Sequence, residues 1–143
     1  MTSLIFPDLN VWLALVYARH AQNEVVVRWY DALGASTLFV FCRHTQSGLF
    51  RLLSTEAVMK QDALNQARCW EVYDHWVNSG LAVFAHDPPG LETEMRALTS
   101  QGLASPKVWA EAYLAAFATA GNLTLVTMDR ALAAKAKGAV LLG

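Results

Sequence analysis

Three carboxylates occupy places in this chain where an uncharged side chain would pack better, and they constrain what the chain can become. Asp8 follows the apolar run Leu4-Ile5-Phe6-Pro7 and precedes Leu9, Val11 and Trp12. Glu111 is the sole charge between Val108 and Ala120. Asp129 ends the run Leu123-Thr124-Leu125-Val126-Thr127-Met128. A buried carboxylate is costly unless it is paired, hydrogen-bonded or bound to a metal. Three of them in one small, charge-poor chain suggest a shared acidic cluster, and such clusters usually hold a divalent cation.

The 143 residues suit one domain, spanning 1–143, with a core that needs no staples. Hydrophobic residues make up 55% and charged residues 16%, against about 25% charged in an average domain. That balance argues against disorder and suggests apolar surface covered by a partner or a second copy. A net charge of −1 gives no global pull on nucleic acid. An enzyme touching one short stretch of RNA needs only a local basic patch. Cys42 and Cys69 form no CxxC or Cys/His cluster, so both read as reduced core thiols and zinc is disfavoured. No basic leader and no membrane-length apolar run is visible, and the expected location is cytoplasmic.

The spacing predicts strands at Leu4–Phe6, Thr37–Phe41, Leu81–Phe84, Leu123–Thr127 and Ala139–Leu142. Helices are predicted over Leu9–Arg19, Ala21–Leu33, Thr45–Leu53, Asp62–Asn78, Leu91–Thr99, from Ser105-Pro106 to about Ala120, and Arg130–Lys137. Ser105 is the expected cap of the penultimate helix, with Pro106 at its first position. The alternation implies an α/β fold with a mainly parallel central sheet of four to five strands flanked by helices.

Sites in open parallel sheets form beyond the carboxyl ends of the strands. Asp8 lies just past the first strand and Asp129 just past the fourth, so both should reach one edge. Glu111, on an otherwise apolar helix, is expected to point towards the same edge. Carboxylates so close repel unless a cation lies between them, and magnesium or manganese is the usual answer. Simpler roles compete: Asp8 as a helix cap, Asp129 as a cap paired with Arg130, Glu111 in a buried pair with Lys107 or Arg51.

Four stretches, taken in order, resemble the PIN-domain ribonucleases and, within them, the VapC-type toxins of toxin–antitoxin pairs. They are Pro7-Asp8-Leu9-Asn10-Val11-Trp12-Leu13-Ala14-Leu15, Thr45-Gln46-Ser47-Gly48-Leu49-Phe50-Arg51-Leu52-Leu53, Ser105 to Ala118 and Leu125 to Leu132. The resemblance implies a PIN-like single domain acting as an endoribonuclease dependent on Mg2+ or Mn2+. Asp8, Glu111 and Asp129 would be its catalytic metal ligands. It also implies an RNA substrate, a homodimer and an antitoxin partner that docks over the active-site groove. Two departures stand out. Gln46 occupies a place that is usually acidic, and Glu111 a place that is usually Asp. A PIN fold with weakened catalysis, working as a binding or scaffold module, is therefore the competing expectation. A phosphohydrolase or receiver-like domain ranks below both: Asp8 and Asn10 do not make a D-x-D pair, and no phosphate-binding glycine motif is present.

Smaller features complete the expectation. Asn10, Gln46 and Thr127 are candidates to support the ligands, and Arg51, Lys107 and Arg130 to hold RNA phosphates. Trp109 is expected in the core rather than stacked on a base. Trp12, Val16, Trp29 and Tyr30 are rich enough to supply a partner interface.

Overall fold

The computed structural model describes residues 2–143. Five short strands, β1 (Ser3–Pro7), β2 (Thr37–Phe41), β3 (Ala82–Phe84), β4 (Thr124–Thr127) and β5 (Val140–Leu141), form one sheet in the order β3-β2-β1-β4-β5. Every neighbouring pair is parallel, with Phe6 opposite Leu125 and Pro7 opposite Val126 where β1 meets β4. Strand order reverses between β1 and β4, the switch point where crevices open in such sheets.

Alternation along the strands builds two cores. Ile5, Phe39, Phe41 and Val126 point to one face, against α1 (Leu9–Val16), α2 (Asn23–Asp31), α3 (Arg43–Leu53) and α5 (Gln66–Asn78). At its centre the Trp12 indole stacks on Phe41 at 4.0 Å and meets Phe39 and Trp76 edge-on. Phe6, Val40 and Leu125 point to the other face, against α6 (Leu91–Leu98), α7 (Val108–Gly121) and α8 (Arg130–Ala133). Cys42 and Cys69 are both buried and free. None of the helices among the described residues is long and apolar enough to cross a membrane.

Several expected boundaries move. The first two helices end and start at Val16 and Asn23, because Arg19 to Gln22 form a polar turn. An additional short helix, α4 (Glu56–Met59), continues into a tight turn at Lys60–Asp62, where Lys60 takes φ +55°. The helix expected from Asp62 begins instead at Gln66, because Asn65 accepts the Arg68 N–H at 2.9 Å and caps it. Ser105 does not cap α7 through its side chain. Its carbonyl accepts the Val108 N–H in a turn, and the helix starts there.

The tryptophans are less uniformly internal than their spacing implies. Trp12 is fully buried, which removes it from any interface, while Trp70 and Trp109 are 49% and 58% exposed.

Candidate active site

Asp8 leaves β1 as its backbone N–H donates to Val126 O at 3.0 Å, which holds it against the end of β4. It is only 5% exposed. Its Oδ1 accepts the Val11 N–H at 3.1 Å and so caps α1. Its Oδ2 accepts the Thr127 hydroxyl at 2.5 Å. The same hydroxyl oxygen accepts the Asp129 N–H at 2.9 Å. Thr127 thereby ties the two aspartates together at the switch point. Burial pushes the Asp8 carboxyl above the ordinary carboxylate range. The Thr127 and Val11 hydrogen bonds oppose the rise, and the neighbouring Asp129 charge adds to it.

Asp129 caps α8: its Oδ1 accepts the Ala131 and Leu132 N–H groups at 2.9 and 3.2 Å. Its Oδ2 lies 4.0 Å from Lys107 Nζ. Both capping roles are therefore real, yet each carboxylate keeps acceptor capacity that the caps do not use. The cation beside Asp129 is Lys107, not the expected Arg130.

Glu111 lies in the first turn of α7, one turn after Lys107 at the cap position of that helix. Its side chain is 13% exposed, and its Oε1 stands 3.6 Å from Lys135 Nζ. Its Oε2 is buried with no hydrogen-bond partner. The expected pairing with Lys107 or Arg51 is replaced by Lys135, which enters from the turn after α8. Among the described residues, no three His, Cys, Asp or Glu side chains gather closely enough to hold a metal. Asp8 and Asp129 come together through Thr127, and Glu111 stands outside that pair, beside Lys135.

The remaining candidates divide. Gln46 is buried on α3 and accepts from Arg43 Nη1 at 2.5 Å, while the Arg43 guanidinium lies 4.4 Å over the Phe84 ring. That bond joins two residues of α3 and does not reach the carboxylates. Arg51 is exposed, and its charge together with burial lowers the His44 pKa, burial being the larger cause. Asn10 and Arg130 line a crevice of about 550 Å³ with Asp129, Met128 and His20. Thr127 is the strongest of the supporting residues. Lys135 and His20 carry no signal in the sequence: Lys135 reads as one base in an alanine-rich tail, and His20 sits in a turn without a motif.

The donors at the switch point are oxygens only, a set that suits a hard cation and not a thiol-seeking one. Magnesium commonly takes one or two carboxylates and keeps several waters. Asp8 and Asp129 meet that requirement, and the orphaned Glu111 oxygen is a further unused acceptor, on α7 and outside their pair. The residues fit a divalent ion in donor chemistry.

Comparison with known proteins comes from two directions. No protein-family model matches the chain. The ribonuclease VapC41 of Mycobacterium tuberculosis is 36% identical over 132 residues, covering 90% of each chain, in both strain CDC 1551 and strain H37Rv. Among solved structures, the Sarcin-Ricin loop cleaving toxin VapC20 of Mycobacterium tuberculosis superposes with a TM-score of 0.63 at 16% identity, over 91% of this chain and 93% of that one. VapBC2 of Rickettsia felis, solved with a promoter DNA fragment, gives 0.66 at 11% identity over 96% of both chains. FitAcB of Neisseria gonorrhoeae gives 0.55 at 20% identity, again over 96% of both.

Proposed function

The chain belongs to the VapC ribonuclease family, and from that membership we propose that it is a divalent-metal-dependent endoribonuclease, the toxin of a type II toxin–antitoxin pair. The observation that supports the reading best is the Asp8–Thr127–Asp129 linkage at the strand-order switch point. Two carboxylates brought together there, one of them with its pKa raised by burial, need a positive charge to coexist ionised. Asp8, Asp129 and Glu111 are the residues we assign to hold Mg2+ or Mn2+.

When bound, the ion would activate water and offset charge on the phosphodiester. The chain's own residues supply the rest. Thr127 fixes the Asp8 carboxylate through its hydroxyl and Asp129 through its backbone. The α1 and α8 caps hold both carboxylates at the tops of β1 and β4, so little reorganisation is left for the moment of reaction. Arg130 lines the crevice beside Asp129 and the Lys107 ammonium lies 4.0 Å from the Asp129 carboxylate, two cations available to an RNA backbone. Asn10 faces the same crevice and can orient solvent.

The partners we assign are an RNA substrate, a cognate antitoxin protein and a second copy of the chain. The structures of VapBC2 from Rickettsia felis and of FitAB, each bound to a DNA fragment, support the antitoxin. Exposed apolar side chains on α5 and at the entrance of α7, led by Trp70, Leu103 and Trp109, support protein contacts.

Incubating the purified protein with single-stranded RNA and Mn2+ tests the assignment. Cleavage that EDTA stops and that Asp8→Asn removes is expected. Undiminished cleavage by Asp8→Asn would overturn the role given to Asp8. A protein that neither binds Mn2+ nor cuts RNA would instead be a PIN-fold binding module.

A further inference from the structure

Two lysines stand beside two of the three carboxylates, and their arrangement is reciprocal. Lys107, the residue before α7, precedes Glu111 by one turn. Asp129 opens α8, and Lys135 follows its end. Lys107 Nζ lies 4.0 Å from Asp129 and Lys135 Nζ 3.6 Å from Glu111, so the two pairs join the same elements in opposite sense. They differ in exposure. Lys107 is 76% exposed in its side chain and Lys135 only 25%. A surface pair is weak and readily exchanged, whereas the inner pair is shielded from solvent.

Glu111 carries the second observation. One of its oxygens faces Lys135, and the other is buried without any donor. A carboxylate with one oxygen engaged and one orphaned in the interior is incompletely satisfied, and in native proteins such an atom calls for an explanation. We propose that Lys135 is a competitor for the divalent ion at Glu111. Its ammonium supplies the cation that Glu111 needs while the ion is absent and surrenders the carboxylate when the ion arrives. This rests on the metal-dependent reading given above. It also accounts for Glu where the resembling family usually has Asp. The extra methylene gives the side chain one more rotatable bond, so one residue can serve both Lys135 and a cation near Asp129. Lysine suits the opposite role, being a point charge on a flexible stem without the rigid fork by which arginine locks a carboxylate. Lys135 is thus a positioning residue, which sets how readily the third ligand becomes available.

Mn2+ titration by calorimetry, on the whole chain without RNA, provides the test. Lys135→Gln is expected to bind Mn2+ about fivefold to tenfold more tightly than the wild type, the scale of one lost ion-pair competitor. Lys135→Arg, which restores the charge, should return the affinity to the wild-type value or below. In a Glu111→Gln background, Lys135→Gln should change nothing. Equal or weaker binding by Lys135→Gln, or a gain that persists without the Glu111 carboxylate, overturns the proposal. Lys135→Met serves the same purpose if Lys135→Gln does not fold. A wild-type protein that binds Mn2+ yet leaves RNA intact would sink the ribonuclease assignment and leave this competition standing.

Discussion

The Thr127 hydroxyl donates to the Asp8 carboxylate at 2.5 Å across 119 residues of chain. It has one proton to give, and its oxygen also accepts the Asp129 N–H. A single side chain at the end of β4 therefore orders both aspartates, and it is the first residue whose removal should be informative.

Thr127→Val keeps the shape of the side chain and deletes the hydroxyl. The Asp129 N–H then loses its acceptor and Asp8 loses its side-chain donor. Leaving such a group unpaired in the interior costs about 1–3 kcal/mol. Chemical denaturation should show a loss of that size. Cleavage should fall more than substrate binding does, because the carboxylates remain but are no longer held.

Asp8 has its pKa raised by burial, so the folded protein favours the protonated acid more than the unfolded chain does. Between the ordinary value of 3.8 and the raised one, the folded state binds the extra proton. Without metal, this group's contribution to stability accordingly falls as pH rises through that window, and is most favourable below it. Asp8→Asn cannot ionise. In EDTA it should melt above the wild type near neutrality, and the gap should shrink as pH falls through the window. A constant gap from pH 3 to pH 8 would show that the buried charge is not its source.

Gly48 on α3 packs directly against Leu9, the residue after Asp8. A Cβ at position 48 would lie 2.5 and 2.8 Å from the two Leu9 methyl carbons. Gly48→Ala forces the Leu9 side chain to move aside, which disturbs the packing of α3 against the first turn of α1. Overpacking of this kind typically costs about 1–3 kcal/mol. A lower melting temperature with reduced Mn2+ affinity is expected, since Asp8 caps that same helix. Unchanged melting would mean that Leu9 swings away freely.

Much of this arrangement is legible in the residues. The strands are β-branched or aromatic runs bounded by turn residues, so their places in the chain and their parallel sense follow from the alternation with helices, while their order in the sheet does not. Asp8 and Asp129 are recognisable because each ends an apolar run, and a strand's end in a parallel sheet is where side chains meet. The orientation of α7 is not legible. A helix apolar nearly all round has no readable buried face, and the structure buries Ala112 and Leu114 to Ala118 while leaving Trp109 in solvent. Lys135 is hidden for another reason. Its partner lies 24 positions earlier in the chain, on a different helix, and no spacing rule reaches across such a gap. The start of α5 at Gln66 rather than Asp62 is not legible either, because Asn65 sets it through a cap that the apolar periodicity does not register.

The five indoles occupy unequal surroundings, and that inequality is useful. Trp12 is sealed among aromatic rings, while Trp109, two residues before Glu111, borders the crevice that also exposes Lys135. An acrylamide quencher would reach Trp109 long before Trp12, and a Trp109→Phe protein would identify its share of the emission. The molecule thus carries a native optical probe at the start of the helix that bears Glu111, one that reports on its surroundings without any added label.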